Sequence, residues 1–180
     1  MQNSYSNSKA YEPAEDTFFL ADYIKHEQGR SALDIGTGSG YIARILSNNF
    51  SLVVATDIDY NSLSSQSTKF QNCLCCDAAD ALHNEFDLIV CNMPYLPSDT
   101  ISDKTVDGGT EGVEIPLKII ESAKKCLKKE GQILFLTSSL ANYQKLVDKT
   151  KQLGFDVHIV ARKKLFFEEL ILLDAKKNLG

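Results

Sequence analysis

What this sequence lacks narrows it first. No apolar run approaches the roughly 20 residues that a membrane-spanning helix needs. The polar start, Met1 to Lys9, has no apolar core of the kind a secretory signal carries. Positive charge is short as well. The 19 lysines and arginines against 24 carboxylates leave a formal net charge of -5. That argues against a broad phosphate-binding face, and so against direct binding of nucleic acid. Cysteine comes in an odd number, five, and Cys73, Cys75 and Cys76 crowd into one expected strand. This is no disulfide framework; it fits a reducing cytoplasm and small buried thiols. None of the three histidines stands where it would help those cysteines hold zinc, so no metal site is expected. Internal repeats, linkers and low-complexity tracts are missing too. With 180 residues there is room for one well-cored domain. The expected organisation is a flexible Met1–Ala10 followed by a single domain over 11–180.

What is present reads as strands and helices in alternation. Pro13 followed by Glu15 and Asp16 opens a helix with Leu20, Tyr23 and Ile24 on its apolar face and Gly29 as its stop. Ser31–Ile35 is a short strand, followed by a glycine-rich turn and a helix carrying Ile42, Ile45 and Leu46. Leu52–Thr56 is the second strand, and Asp59 opens a helix over Asn61–Ser67. Phe70–Cys76 and Phe86–Cys91 are the third and fourth strands. A long polar connection, Leu96–Gly112, leads to a helix from Pro116 to Lys129 that Gly131 ends. Gln132–Thr137 is a fifth strand. Ser138 or Ser139 caps the next helix, which runs through Leu153 and stops at Gly154. Phe155–Ala161 and Phe166–Leu173, joined by three basic residues, form an antiparallel pair. This order specifies an α/β fold: a Rossmann-like, doubly wound, seven-stranded mixed sheet with a C-terminal antiparallel strand pair.

Ligands of such sheets bind at the carboxyl ends of the strands, and that is where the polar residues with chemistry gather. The first group is the turn Asp34-Ile35-Gly36-Thr37-Gly38-Ser39-Gly40. Glycines at 36, 38 and 40 let a ligand approach the backbone. Their spacing is not that of the dinucleotide fingerprint, and Asp34 ahead of them would repel a pyrophosphate but receive an ammonium group. Asp57 ends the second strand roughly 20 residues further on, where a ribose-binding acid stands. Asp77 and the backbone of Ala78 follow the third strand, either for an adenine edge or as a solvated turn. Asn92-Met93-Pro94-Tyr95 follows the fourth: an amide at a strand end, a proline-stiffened turn and an aromatic ring. In isolation that is an ordinary turn. Thr17 reads as part of a lid over the ligand.

Together these residues resemble the class I S-adenosylmethionine-dependent methyltransferases, whose first cofactor motif the Asp34–Gly40 turn looks like. Tyr11–Thr17 with Asn92-Met93-Pro94-Tyr95 resembles the HemK family of protein glutamine-N5 methyltransferases. The likeness is to its short archaeal and eukaryotic branch, which modifies the glutamine of the Gly-Gly-Gln loop in class I translation termination factors. One residue departs: the family tetrapeptide is Asn-Pro-Pro-Tyr, and position 93 here is Met. The resemblance implies S-adenosyl-L-methionine as cofactor, bound by Thr17, Asp34, Gly36, Gly38, Gly40, Asp57, Asp77, Ala78 and Asn92. It implies a substrate amide meeting Asn92, Met93, Pro94 and Tyr95, with Asn92, Pro94 and Tyr95 as the catalytic set. It also implies a partner, a small zinc-binding activator protein along the Phe70–Cys76 edge strand. The apolar Phe70, Cys73, Leu74 and Cys75 are themselves unusual for a free edge.

The chemistry is coherent in the residues alone. An amide nitrogen is a poor nucleophile because its lone pair is delocalised into the carbonyl. Two fixed acceptors, the Asn92 side-chain oxygen and the Pro94 carbonyl, would each take one N–H and stabilise positive charge developing on the nitrogen. Tyr95 would pack against the flat amide. The amino group of adenine has the same planar, conjugated form, so N6-methylation of adenine in RNA or DNA is the rival reading. A non-catalytic subunit that binds S-adenosylmethionine is the other.

Overall fold

The computed structural model describes residues 13–66, 70–103 and 105–178. The stretch Met1–Ala10 expected to be flexible lies outside them, as do Tyr11 and Glu12 of the first motif. The first half of the chain runs α1 (Glu15–Ile24), β1 (Gly29–Ile35), α2 (Tyr41–Leu46), β2 (Phe50–Asp57), α3 (Tyr60–Ser64), β3 (Cys73–Cys75) and β4 (Phe86–Asn92). It continues through β5 (Leu96–Pro97), β6 (Asp107–Gly109), α4 (Glu114–Lys125), β7 (Leu127–Ser138), α5 (Tyr143–Gln152), β8 (Phe155–Lys164) and β9 (Glu169–Lys177).

Seven strands form one sheet in the order β3-β2-β1-β4-β7-β9-β8. Neighbours are parallel from β3 across to β7, and β9 runs antiparallel to both β7 and β8. The expected α/β class and C-terminal antiparallel pair are therefore present. From β1 the chain steps outward through β2 to β3, then returns to β4 on the other side of β1. The turns after β1 and β4 diverge there, which is where an open α/β sheet leaves a crevice for a ligand.

Both faces of the sheet are covered, so its central strands read as nearly unbroken apolar runs. Side chains alternate between two cores. In β4, Leu88 and Val90 join Leu20 of α1 and Ala43 of α2, whereas Ile89 and Cys91 join Ile120 of α4 and Leu146 of α5.

Several boundaries differ from expectation, each for a local reason. The helix expected to reach Lys129 stops at Lys125, because Leu127 is fully buried as the first residue of β7. Gly131 ends no helix. It lies in an irregularity where the pairing Phe86 with Leu127 gives way to Leu88 with Gln132. A Cβ there would stand 2.9 Å from the Phe86 carbonyl oxygen and 3.1 Å from that of Asp87. Asn142, rather than Ser138 or Ser139, caps α5 by accepting from the Lys145 N–H. Strand β3 is only three residues long instead of Phe70–Cys76. The thiols expected to be buried divide: Cys91 and Cys126 are, Cys73 and Cys76 are half-buried, and Cys75 is exposed. Phe166 and Phe167, expected to begin the last strand, lie in the β8–β9 turn.

The Leu96–Gly112 connection is more built than its composition suggests. Its two short strands pair with each other. Asp107 Oδ2 accepts from the Ser102 and Asp103 N–H groups and from the Ser102 hydroxyl. Those bonds hold the Asp107 carboxyl below the usual range, the Asp103 N–H most of all. No described helix is long and apolar enough to cross a membrane.

Gly131→Ala drives a methyl group against two β4 carbonyls, so it should lower stability by about 1–3 kcal/mol. Urea denaturation of the two proteins measures this, and an unchanged midpoint would mean that the irregularity relaxes freely.

Candidate functional site

A cleft of about 1120 Å³ opens at the carboxyl ends of β1, β2 and β4. The turn after β1 forms its floor. Gly36 and Thr37 N–H groups both donate to the Thr56 carbonyl, at 2.8 and 2.9 Å, so the turn is tied to β2. Gly36, Gly38 and Gly40 have φ of 73°, 50° and 76°, a region closed to most side chains. A Cβ on Gly36 would meet nothing within 4 Å, so the turn leaves room for a ligand against its backbone. Gly40 is the exception among the expected residues. It does not line the cleft; it turns the chain into α2, beside Arg44 and Gln66.

The two acids beside this turn are held by the protein's own donors. Asp34 is 2% exposed, and its Oδ2 accepts from the Thr37 hydroxyl at 2.6 Å and the Ala43 N–H at 3.0 Å. Burial pushes its carboxyl up to about 7, against the pull of those two bonds. Asp57 accepts from the Gly38 N–H at 2.8 Å and the Asp59 N–H at 2.9 Å, and burial raises it as well. Asp59 caps α3 through the Asn61 N–H, as its position suggests. Asp77 and Ala78 reach the same cleft, and Ala78 has φ 42°, the one described non-glycine residue with a positive value. Backbone strain of this kind persists where the surroundings over-determine it.

Asn92 stands across the crevice at the end of β4. Strand alternation turns it to the same side as Leu88 and Val90, the side on which α1 packs. Its Nδ2 donates to Asp16 Oδ2 at 3.1 Å and, more weakly, to Thr17 Oγ1 at 3.4 Å. Two acceptors on that side assign the amide orientation. Asn92 Oδ1 is buried and has no partner among the described residues. Past Asn92 the alternation breaks. Met93 packs in the α4 core and is 2% exposed, while Tyr95 packs in the α1 core at 9%. Met93 thus borders the cleft as a core residue.

Two further buried oxygens on the cleft wall share the condition of Asn92. Thr56 Oγ1 and Glu168 Oε2 have no hydrogen-bond partner among the described residues. A buried acceptor left unmatched costs about 1–3 kcal/mol, so three together favour a ligand that brings donors. The wall is also acidic: nine carboxylate residues, from Glu15 and Asp16 to Asp107 and Glu168, line it against one lysine, Lys118, with Asp34 and Asp57 the two whose ionisation burial opposes. Such a wall suits a ligand carrying an ammonium and a sulfonium group.

Sequence reasoning missed three of these residues. Asp16 looked like a helix-terminal acid, and its pairing with Asn92 spans 76 positions. Thr56 had a signal, as the polar residue just before the strand-end acid. Glu168 had none.

Because Asp34 holds its proton more tightly when folded than when unfolded, stability should fall as pH rises from about 4 to about 7 and then level off. Asp34→Asn keeps an acceptor oxygen for Thr37 and Ala43 and removes the charge. It should flatten this part of the urea-midpoint profile, leaving the share due to Asp57. Parallel profiles would contradict the assignment.

Comparison with known proteins gives the same direction. Residues 15–167 match the model of the methyltransferase small domain family. A Methanocaldococcus jannaschii protein named as a protein N5-glutamine methyltransferase is 33% identical, over 93% of this chain and 91% of its own. A Pedobacter heparinus tRNA1(Val) (adenine(37)-N6)-methyltransferase is 27% identical, over 81% of this chain and 67% of its own. The E. cuniculi Mtq2-Trm112 complex, described as responsible for methylation of the eRF1 translation termination factor, superposes with a TM-score of 0.81 at 25% identity. That match covers 94% of this chain and 99% of the other. The chain belongs to the methyltransferase small domain family, as an S-adenosylmethionine-dependent methyltransferase of the HemK type.

Proposed function

We propose that this enzyme methylates the side-chain nitrogen of a protein glutamine, in the Gly-Gly-Gln loop of a class I translation termination factor. The observation that carries this reading is the Asn92 amide, pinned through its nitrogen and left with a buried oxygen that has no partner among the described residues. A planar NH2 group is the donor such an oxygen fits.

S-adenosylmethionine supplies an electrophilic methyl group on a sulfonium. The glycine turn would take its amino-acid end at Gly36 and Gly38, with Asp34 facing the ammonium through the oxygen not committed to Thr37 and Ala43. Asp57 would accept from the ribose hydroxyls, and Asp77 with the Ala78 backbone would meet the adenine edge. Thr17, on the cleft wall, would border the cofactor and accepts from the Asn92 amide nitrogen. Asn92 Oδ1 and the Pro94 carbonyl would each accept an N–H of the substrate amide. Its nitrogen would take the methyl group as the sulfonium C–S bond breaks and S-adenosylhomocysteine leaves, the charge that develops on it being stabilised by dipoles already in place until one N–H proton passes to solvent. Donation from Asn92 to the Asp16 carboxylate polarises the amide and strengthens its oxygen as an acceptor. Tyr95 would hold the flat amide, so the remaining work is alignment of methyl and nitrogen.

Adenine offers the same kind of nitrogen, and the Pedobacter heparinus relative is named for adenine methylation. The charge of the cleft favours glutamine. A phosphodiester chain would approach a wall of nine carboxylate residues and one lysine. For partners, Leu74 on the edge strand β3 is 38% exposed beside an exposed Cys75, and Leu52 on β2 is 38% exposed as well. We assign this edge to a small zinc-binding activator protein, and the enzyme to the cytoplasm.

Asn92→Ala should abolish methyl transfer while S-adenosylhomocysteine affinity falls less than about tenfold, roughly the 1.4 kcal/mol of one hydrogen bond. A radiolabelled methyl-transfer assay with calorimetry separates the two, and wild-type-like turnover would remove Asn92 from the mechanism. The substrate is tested by methylating a purified release factor and locating the methyl group by mass spectrometry; methylation of RNA in its place would reverse the choice. Leu74→Lys should cost the activator at least about tenfold in affinity if β3 is its docking edge.

A further inference from the structure

The β8–β9 turn carries two side chains that the fold leaves without use. Phe166 is 92% exposed and Phe167 85%, more than any other large hydrophobic residue described. Exposing a phenylalanine instead of burying it forgoes about 1.5–3 kcal/mol. The two rings pack edge-on with centroids 4.6 Å apart, so they present one apolar knob.

That knob sits on the rim of the cleft. The residues flanking the pair, Leu165 and Glu168, both line the cleft, and Glu168 Oε2 is the buried acceptor without a partner among the described residues. The turn is also held firmly. The Leu165 N–H donates to the Glu168 carbonyl at 2.8 Å, and Arg162 pairs with Glu169 at 2.5 Å. Glu169 exchanges bonds with Ser139: its N–H donates to the Ser139 hydroxyl, and its carbonyl accepts from the Ser139 N–H. Lys163 reaches Glu15 of α1, another residue of the cleft wall, at 2.6 Å. A turn fixed at so many points loses little freedom when something docks on it.

We propose that the Phe166–Phe167 turn is the docking knob for the protein that carries the acceptor glutamine, engaging an apolar patch beside the glutamine-bearing loop. Glu168 accepts a backbone N–H from the incoming loop. This rests on the glutamine reading and adds to it a determinant of substrate recognition away from the methyl-transfer atoms. The occupant is a protein because the contact is apolar rings plus a carboxylate. A nucleic acid backbone would meet that carboxylate with its own negative charge, and of the basic residues leading into the turn Arg162 and Lys163 are already paired with Glu169 and Glu15.

The test is the Phe166→Ser, Phe167→Ser double variant, assayed on purified release factor in whatever assembly supports wild-type turnover. Both rings are exposed, so the melting temperature and S-adenosylhomocysteine affinity should match wild type. KM for the release factor should rise at least about tenfold, the scale of an interface aromatic lost, while kcat stays within about twofold. Glu168→Ala should raise KM in the same direction. Wild-type methylation of the release factor with an unchanged KM in the double variant would overturn this inference alone. Failure of wild-type enzyme to methylate any release factor would overturn the glutamine reading and this inference with it. A wild-type dimer on gel filtration that the double variant dissolves would reassign the knob to self-association.

Discussion

The site depends on one constraint: the Asn92 amide is fixed from behind. Asp16 and Thr17 take its nitrogen, and its buried oxygen is left without a partner among the described residues. Three separate features make that possible. Alternation along β4 sends residue 92 to the α1 side. The buried Leu20 and Ile24 seat α1 so that its first turn overhangs the strand end. The change of side between Met93 and Tyr95 then carries the chain away, leaving the amide at the rim. A free asparagine at a strand end would satisfy its own oxygen through water or a neighbouring N–H. Here Oδ1 is buried with no partner among the described residues, and in the proposed reaction the substrate amide supplies the donor.

Electrostatics makes a second demand, and the fold meets it unevenly. Asp34 is buried deeply enough to sit near neutrality as an acid, while Asp57 is partly relieved by two backbone donors. Both also serve the turn itself: Asp34 ties it to α2, and Asp57 holds the Gly38 N–H. The same carboxylates therefore shape the glycine turn and stand on the wall of the cleft. Separating those roles requires a substitution such as Asp34→Asn that keeps the hydrogen bonds.

Elements with strong periodicity were legible in advance. Strands β1, β2 and β4 are apolar runs buried on both faces, and the mixed edge followed from the short link between β8 and β9. Misreadings fell where a local rule competes with packing. The run after Cys126 has helical spacing, yet Leu127 is worth more in the β4–β7 ladder than in another helical turn. Leu96–Gly112 looks like open loop because its anchors, Asp107 onto Ser102 and Asp103, are polar and local. Gly131 looked like a helix stop, since a glycine that avoids a clash and one that ends a helix are identical in sequence.

By itself the sequence determined the order of strands and helices and the places where chemistry collects, because strand-end polar residues and a glycine turn are local features with local causes. The type of nitrogen that Asn92 and Pro94 would suit, a planar conjugated NH2, is likewise a reading of the sequence that the proposed function carries forward. Only the tertiary structure decided that Asp16 holds Asn92, that Gly40 turns the chain without lining the cleft, and that Phe166 and Phe167 face solvent beside it. Those facts depend on which distant segments meet. Contacts across 76 positions follow from the packing of whole elements, and no spacing within the chain encodes them.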